Sequence, residues 1–329
     1  MIKMNRVALA VLAVLGTGTV MAQSNVTLYG RINTTIERQE IGNTNVNKME
    51  NNSSRWGIRG VEDLGGGLKA GFVLESGFAS DTGMGSSSTG ALTFGRQSEV
   101  NLSGNFGKVR LGNFFPGSYF ATADYVSMHN HDTGSSSDAL YFDPVWFASG
   151  LGTANKISYT TPSFGGLTVE GSVSMHEKAS TLAKKKNGYD LAANYNLGAL
   201  ALGAGYSQFD ADKQLALRAA YTFGQFVVGG YYQRNDEELR GTRNNFRLSG
   251  MYTLGASEFH ANVGHANAWS RVGDSGATQW TLGYNYNLSK RTKVYGYYTK
   301  VDNKSGASYM TGVKGADFSS FALGVRHAF

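Results

Sequence analysis

The chain has 329 residues and a net charge of +6, with 44 glycines, 3 prolines and no cysteine. The lack of cysteine excludes disulfides and thiolate metal sites, and the positive charge is too small and too dispersed to indicate nucleic-acid binding. Abundant glycine with 18 Tyr and 18 Phe favours a β-rich fold with many tight turns, in which the scarcity of proline leaves backbone donors free for sheet hydrogen bonds.

The first residues have the three zones of a secretory signal peptide. Lys3 and Arg6 precede an apolar stretch, residues 7–15, and small residues end the segment at Ala22. The apolar stretch is shorter than the roughly 20 residues of a membrane-spanning helix, which argues against a retained anchor. We predict that residues 1–22 are removed during export and that residues 23–329 form one domain.

The segments that follow alternate between apolar and polar side chains. Val26, Leu28, Ile32 and Ile36 share one face of a predicted strand, and the polar residues between them share the other. After residue 22 no run approaches the roughly 18 consecutive apolar residues of a helical span. The alternation recurs in five further segments, residues 68–75, 108–111, 214–219, 280–286 and 321–329.

Short turns, most of them carrying Gly or Asn, alternate with longer polar connections. The short turns are residues 64–67, 105–107, 163–166, 196–198, 223–224, 254–257 and 287–291. The longer connections are residues 42–52, 80–90, 115–153, 177–187, 236–242, 270–276 and 303–315. This alternation is typical of outer-membrane barrels, which have short periplasmic turns and long external loops. Counting the strands between them gives roughly sixteen, enough to enclose a water-filled channel.

A soluble all-β protein would also alternate and turn, but two features favour a membrane barrel. Aromatic residues cluster near predicted strand ends, at residues 231–232 and 295–298, and the last strand runs to the terminal Phe329. The last residues of a soluble domain usually fray. We therefore predict an all-β fold, a transmembrane antiparallel β-barrel.

Several short motifs are spread over the whole chain after residue 22. They are VTLYG at 26–30, SRWGIRG at 54–60, EDLGGGLKAGF at 62–72, LSGNFG at 102–107, ISY at 157–159 with FGG at 164–166, and GVRHAF at 324–329. In combination they resemble the trimeric general porins of Gram-negative bacteria, in particular the beta-proteobacterial branch. The resemblance implies sixteen strands, a homotrimer in the outer membrane, an inward-folded third loop that narrows the channel, and a terminal Phe329 read as an assembly signal.

Residues 115–153 lie where the resemblance puts this constriction loop. A connection longer than about 15 residues is usually functional or disordered, and aromatic residues such as Phe120, Tyr141 and Trp146 are unusual in a disordered linker. We expect this segment to fold into the barrel. Its acidic residues, the predicted negative side of the constriction, are Asp124, Asp132, Asp138 and Asp143.

Arginines on the predicted strands would supply the positive side. A charge on the lipid face costs about 2–4 kcal/mol at the membrane midplane, so alternation directs four of them into the lumen: Arg31, Arg55, Arg59 and Arg110. The alternative is that such charges only pair within the wall and hold it together. The resemblance assigns Arg55, and also Arg96, to the constriction.

Arg96 conflicts with the alternation, because Phe94 and Val100 share its parity and would send it to lipid. A β-bulge near residues 95–98 would turn it inwards. The resemblance also leads us to expect a third arginine before the sixth strand, where Lys156 is a possible substitute.

Catalytic and metal sites have little support. His129, His131 and Asp132 lie close together but lack a further firm metal ligand, and no nucleophile elbow, phosphate loop or metalloprotease motif occurs. We predict neither an enzyme nor a cofactor or metal site. Lys184, in an external loop, belongs to a basic run that could meet lipopolysaccharide phosphate.

The sequence therefore predicts an outer-membrane channel for passive diffusion of small hydrophilic solutes and ions, with a weak anion preference. Facing rows of opposite charge would order water and steer ions by sign. The expected partners are two further copies of the chain, outer-membrane lipids and lipopolysaccharide, and the transported solutes. The alternatives are a closed or substrate-specific barrel that acts as an adhesin or receptor, which conductance distinguishes from a porin, and an outer-membrane enzyme, which would need a catalytic group at one rim that this His-poor sequence does not offer.

Overall fold

The computed structural model describes residues 25–123, 134–141, 154–176 and 186–329. The signal-peptide prediction lies outside these residues. No helix among them is long and apolar enough to cross a membrane. A short helix, α1, spans Gly117–Ala121, and a 3-10 helix spans Gly134–Ser136. The strands are β1 Asn25–Ile41, β2 Thr44–Asn51, β3 Arg55–Gly65, β4 Leu68–Gly77, β5 Gln97–Gly104, β6 Gly107–Asn113, β7 Lys156–Thr160, β8 Leu167–Ser174, β9 Gly188–Leu197, β10 Leu200–Phe209, β11 Asp212–Phe223, β12 Phe226–Glu237, β13 Gly241–Leu254, β14 Ser257–Ala266, β15 Ala277–Asn287, β16 Thr292–Asn303 and β17 Phe318–Ala328.

All of these strands join one antiparallel sheet that closes on itself. Consecutive strands pair with one another except β2 and β3, which both pair with β1, and β17 pairs with β1 from Arg31–Ala328 to Ile41–Phe318. The first half of β1 pairs with β3 and the second half with β2, so β2 and β3 are two pieces of one wall strand. The described strands therefore occupy sixteen wall positions, which confirms the predicted sixteen-stranded barrel.

Burial of side chains is the reverse of that in a soluble protein. On β1, Leu28, Ile32 and Ile36 are 47–68% exposed, whereas Asn33 and Glu37 are almost completely buried. The same alternation continues around the wall. The apolar face therefore points outwards to lipid, and the polar face points into the enclosed lumen.

Outward-facing aromatic rings form a girdle toward each end of the wall. At the end with the short turns, six rings contact one another in series across β11–β15, with centroids 4.6–6.3 Å apart: Tyr221, Phe223, Phe226, Tyr252, Phe259 and Tyr284. Toward the other end, Tyr232 packs on Phe246 and Trp280 on Tyr298. Two such girdles around an apolar band are typical of outer-membrane barrels.

Connection lengths distinguish the two ends of the barrel. Two-residue turns that begin at Gly198, Gly224 and Gly255 lie at one end, and these glycines have φ between 56° and 59°, a conformation that costs other residues more. The longest described connections, which include residues 267–276 and 304–317, lie at the other end. The first end is therefore periplasmic and the second external.

Two of the predicted long connections are largely strand in the structure, so these predictions are wrong. Residues 42–52 contain a two-residue turn followed by β2, and residues 236–242 contain a hairpin in which only residues 238–240 lie between strands. Their polar composition predicts loops. Strands that extend beyond the hydrocarbon need no apolar face, so polarity there does not distinguish a strand from a loop.

Candidate functional site on the inner wall

The first described part of the long connection between β6 and β7, helix α1, packs on the inner face of β9–β11. The backbone N–H of Ser118 donates to Asp190 Oδ1 at 3.0 Å, and the Ser118 hydroxyl also donates to this carboxylate. At the other end of the helix, Arg218 Nε on β11 donates to the Ala121 carbonyl at 2.7 Å. Both ends of α1 are therefore bonded to the wall.

The second described part, residues 134–141, lies across the inner face of β11–β17 and β1. The Ser135 hydroxyl donates to Glu37 on β1, and the side chain of Gln279 on β15 bonds the backbone of both Ser137 and Ala139, at 2.8 and 2.9 Å. Further bonds join Leu140 and Tyr141 to the wall side chains Arg243, Gln233 and Gln214. Both described parts of the connection thus contact lumen-facing side chains.

Asp138, predicted as part of the acidic side of the pore, is buried in this contact. Its Oδ1 atom lies 2.7 Å from Nη2 of Arg247, itself only 1% exposed, and the Tyr231 hydroxyl donates to Oδ2. The backbone N–H groups of Leu140 and Tyr141 also donate to Oδ1. This carboxylate is therefore neutralised against the wall. The other predicted acidic residues, Asp124, Asp132 and Asp143, lie outside the described residues.

Two of the predicted basic residues meet on the opposite part of the wall. Arg55 on β3 and Arg96 just before β5 approach the carboxylate of Glu75 on β4, with Nε–Oε distances of 3.7 and 2.7 Å. The Tyr29 hydroxyl donates to the same carboxylate at 3.1 Å. Both arginine side chains are about a quarter exposed. Among the described residues, two arginines therefore approach this one carboxylate.

The inward direction of Arg96 arises without a bulge. The pairing of β4 with β5 is regular from Glu75–Gln97 onwards, and Arg96 stands at a bend before the first residue of β5. Alternation applies only within a strand, so it does not fix the direction of this side chain. Its guanidinium also lies over the ring of Phe115, 5.7 Å from the centroid.

The other predicted basic residues differ in their surroundings. Arg110 bridges two carboxylates, Glu99 at 3.3 Å and Glu170 at 2.5 Å, so its charge is matched locally. Arg31 is 5% exposed, and its Nε donates to the Ser53 carbonyl at 3.2 Å. Arg59 is exposed and lies over the Tyr29 ring, 5.0 Å from its centroid.

Lys156, the possible substitute for a third arginine, is 1% exposed. Its Nζ donates to the Phe114 carbonyl at 2.7 Å and lies 4.7 Å from the centroid of the Phe114 ring. The ammonium group is therefore directed at the start of the long connection.

Sequence reasoning missed the wall residues that hold the long connection, above all Glu37 and Arg247. Both share the lumen-facing parity of their strands, since Ile36 on β1 and Phe246 and Leu248 on β13 face lipid. Alternation could therefore have placed these charges inside the barrel, but not identified their partners.

Among the described residues, no group of three or more His, Asp or Glu side chains could hold a metal ion. The weakly supported cluster of His129, His131 and Asp132 lies outside the described residues.

Comparison with known proteins gives full-length matches. The model of the Gram-negative porin family matches residues 8–306. Outer membrane porin protein 32 of Delftia acidovorans is 33% identical over 99% of this chain and 100% of its own. An outer membrane porin protein of Bordetella pertussis is 27% identical over 95% of this chain and 96% of its own. A solved structure of an anion-selective porin from Comamonas acidovorans has a TM-score of 0.74 at 27% identity, and covers 93% of this chain and 100% of its own.

These matches agree with the geometry of the barrel. A closed wall with a polar interior, an apolar belt and two aromatic girdles is an outer-membrane channel of a Gram-negative bacterium, and the relatives are porins of the same membrane. The predicted resemblance is confirmed: the chain belongs to the Gram-negative porin family.

Proposed function

We propose that this porin passes small hydrophilic solutes and ions by passive diffusion, with a weak preference for anions set by the arginines of β3–β5. The observation that carries the proposal is the cluster of Arg55 and Arg96 around the carboxylate of Glu75 on the lumen-facing wall. A channel wall with an excess of fixed positive charge raises the local concentration of anions and lowers that of cations.

The charge balance of the neighbouring wall supports a weak preference. Arg59 adds an exposed positive charge on the same strand as Arg55. Arg110, three strands further on, is matched by Glu99 and Glu170 and adds no excess. Glu75 partly neutralises the positive charge of Arg55 and Arg96 in this sector, which favours a modest selectivity.

We further propose that residues 115–153 form the constriction of this channel. The bonds of α1 and of residues 134–141 to the inner wall support it, because they keep these parts of the connection inside the barrel. The pairing of Asp138 with Arg247 neutralises both charges, so this carboxylate does not oppose the positive charge of Arg55 and Arg96.

A homotrimer within outer-membrane lipid and lipopolysaccharide is the assembly that we propose. The support is the resemblance to trimeric general porins. Size-exclusion chromatography with light scattering in detergent measures the mass of the assembly. We expect a mass of three copies, and a trimer band on gels that is replaced by a monomer band after heating. A monomer at all detergent concentrations would contradict the proposal.

Planar-bilayer recording of the purified protein tests the channel and its selectivity together. We expect stepwise conductance and a reversal potential, in a gradient of potassium chloride, whose sign corresponds to greater permeability for chloride. A cation preference would disprove the proposed role of the arginines. Intact trimers that give no conductance would instead favour the closed barrel of an adhesin or receptor.

A further inference from the structure

An arginine stands on the lipid-facing side of the barrel. Arg234 on β12 has the outward parity of Val228, Gly230 and Tyr232, and its side chain is exposed. It lies two residues beyond Tyr232, which belongs to the external aromatic girdle. A lipid-facing arginine costs about 2–4 kcal/mol at the membrane midplane but only about 0–1 near the interface. Its position beyond the girdle therefore places it at the level of the lipid headgroups.

The charge of Arg234 is not neutralised by the described part of the chain. Its Nη1 donates to Oδ1 of Asn244 at 3.1 Å, and the Tyr232 hydroxyl donates to the same oxygen at 3.0 Å. This amide holds the guanidinium in place but carries no charge. On the neighbouring strand, Lys213 also faces outwards, opposite Asp236 in the sheet register. Neither Arg234 nor Lys213 forms an ion pair within the described ranges.

An apolar groove of about 480 Å³ runs over the wall next to Tyr232. Its floor consists of Ala219 on β11 and Gly230 on β12, which are directly paired. Larger outward side chains form its sides: Leu217, Tyr232, Phe246 and Leu248. The two small residues thus leave a depression in the apolar belt between the two aromatic girdles.

The spacing of groove and arginine suits one kind of molecule. Gly230 and Arg234 are four residues apart on one strand, about 13 Å at roughly 3.3 Å per residue. An acyl chain in the groove would have its headgroup beside Arg234. A guanidinium group is well matched to phosphate oxygens, which accept paired hydrogen bonds from it.

We propose that a phosphorylated, multiply acylated lipid of the external leaflet binds here, with a phosphate on Arg234, supported by Lys213, and an acyl chain over Ala219 and Gly230. The inference gives a specific site to the proposed contact with lipopolysaccharide. It rests on the outer face alone, so it stands or falls separately from the ion preference of the lumen.

Native mass spectrometry of the detergent-solubilised protein tests this site, with diphosphoryl lipid A as the probe and phosphatidylcholine as the comparison. We expect the wild type to retain lipid A preferentially. Arg234→Gln should weaken retention about tenfold, as expected for the loss of one charge-assisted contact. Ala219→Phe, which fills the groove floor, should weaken it similarly while leaving the arginine in place.

Matched controls lie on the same outer face. Lys300→Gln removes an outward cation that is already paired with Asp302 at 2.7 Å, and Ala261→Phe adds the same bulk outside the groove on β14. Both should retain lipid A like the wild type, and heat-modifiable gel migration checks that every variant folds. Equal retention by wild type and Arg234→Gln, or losses as large in the two controls, would overturn the proposal.

Discussion

Single side chains of the inner wall should control the ion preference. Arg55 is one of two arginines that approach Glu75, so Arg55→Ala removes one positive charge from the lumen wall and keeps the ion pair of Arg96 with Glu75. We expect a lower anion-to-cation permeability ratio in bilayer recordings. The change should be larger at 0.1 M salt than at 1 M, because the Debye length falls from about 10 Å to about 3 Å.

Lys300→Ala provides the control for this measurement, because it removes a cation from the outer face. Its permeability ratio should equal that of the wild type. If Arg55→Ala forms normal trimers and keeps the wild-type ratio at low salt, Arg55 only holds the wall together and the constriction is elsewhere.

The buried pair of Asp138 and Arg247 should matter for stability. Asp138→Ala leaves a guanidinium that is only 1% exposed without its carboxylate. Removal of one partner of a buried pair typically costs about 3–5 kcal/mol. We expect the variant to unfold at a lower urea concentration than the wild type. Tryptophan fluorescence in detergent micelles measures this midpoint.

Two further variants separate this effect from a general loss of charge. Asp302→Ala removes a partly exposed carboxylate from an outer-face pair and should change the midpoint little. Asp138→Ala combined with Arg247→Met removes both buried charges and should recover much of the loss. A single variant as stable as the wild type would show that Asp138 does not anchor the connection.

At the scale of strands, alternation puts Arg31, Arg55, Arg59 and Arg110 on the polar face of their strands, because the other face must suit lipid. It did not apply to Arg96, which stands before its strand. Nor did it show β2, where polar residues continue a strand beyond the membrane.

The contacts of the long connection could not be predicted in the same way. Ser135 bonds Glu37, and Asp138 bonds Arg247, across about a hundred residues of chain. Alternation states which face a side chain occupies but not which distant segment lies against it. The residue pattern therefore predicts the strands of the wall and which charged side chains face the lumen. The structure is needed to identify the wall residues that bind the long connection.

The last strand permits a test of the assembly signal. Phe329 exchanges two backbone hydrogen bonds of 3.1 Å with Gly30. Its ring packs over Gly30, with Cζ 2.5 Å from the position that a Cβ on this glycine would occupy. Phe329→Ala keeps the backbone bonds but removes the ring. We expect reduced trimer yield in cells and nearly normal refolding from urea into detergent, because only cells read the ring as a signal.

Val325→Ala on the same outward face of β17 serves as the control for Phe329→Ala and should assemble normally. Equal losses in cells and in refolding would mean that the ring at residue 329 is needed for packing. A wild-type yield in cells would refute the signal altogether.

At the scale of the whole molecule, export should remove residues 1–22. The charged, apolar and small-residue zones before Gln23 are the basis of this prediction. Amino-terminal sequencing of protein extracted from outer membranes should begin at Gln23. A chain that still begins at Met1 would contradict it, and Ala22→Leu should slow processing because the cleavage site needs a small residue.

The pairing of β1 with β17 has a consequence for how the barrel forms. These strands lie at opposite ends of the chain, so closure requires contacts of very high sequence separation, which are slow to form. Until they form, both strands are open edges able to pair with other chains. An intermediate in which β1 and β17 are still unpaired is therefore the species most prone to aggregate. We expect periplasmic chaperones to be needed until these two strands have paired.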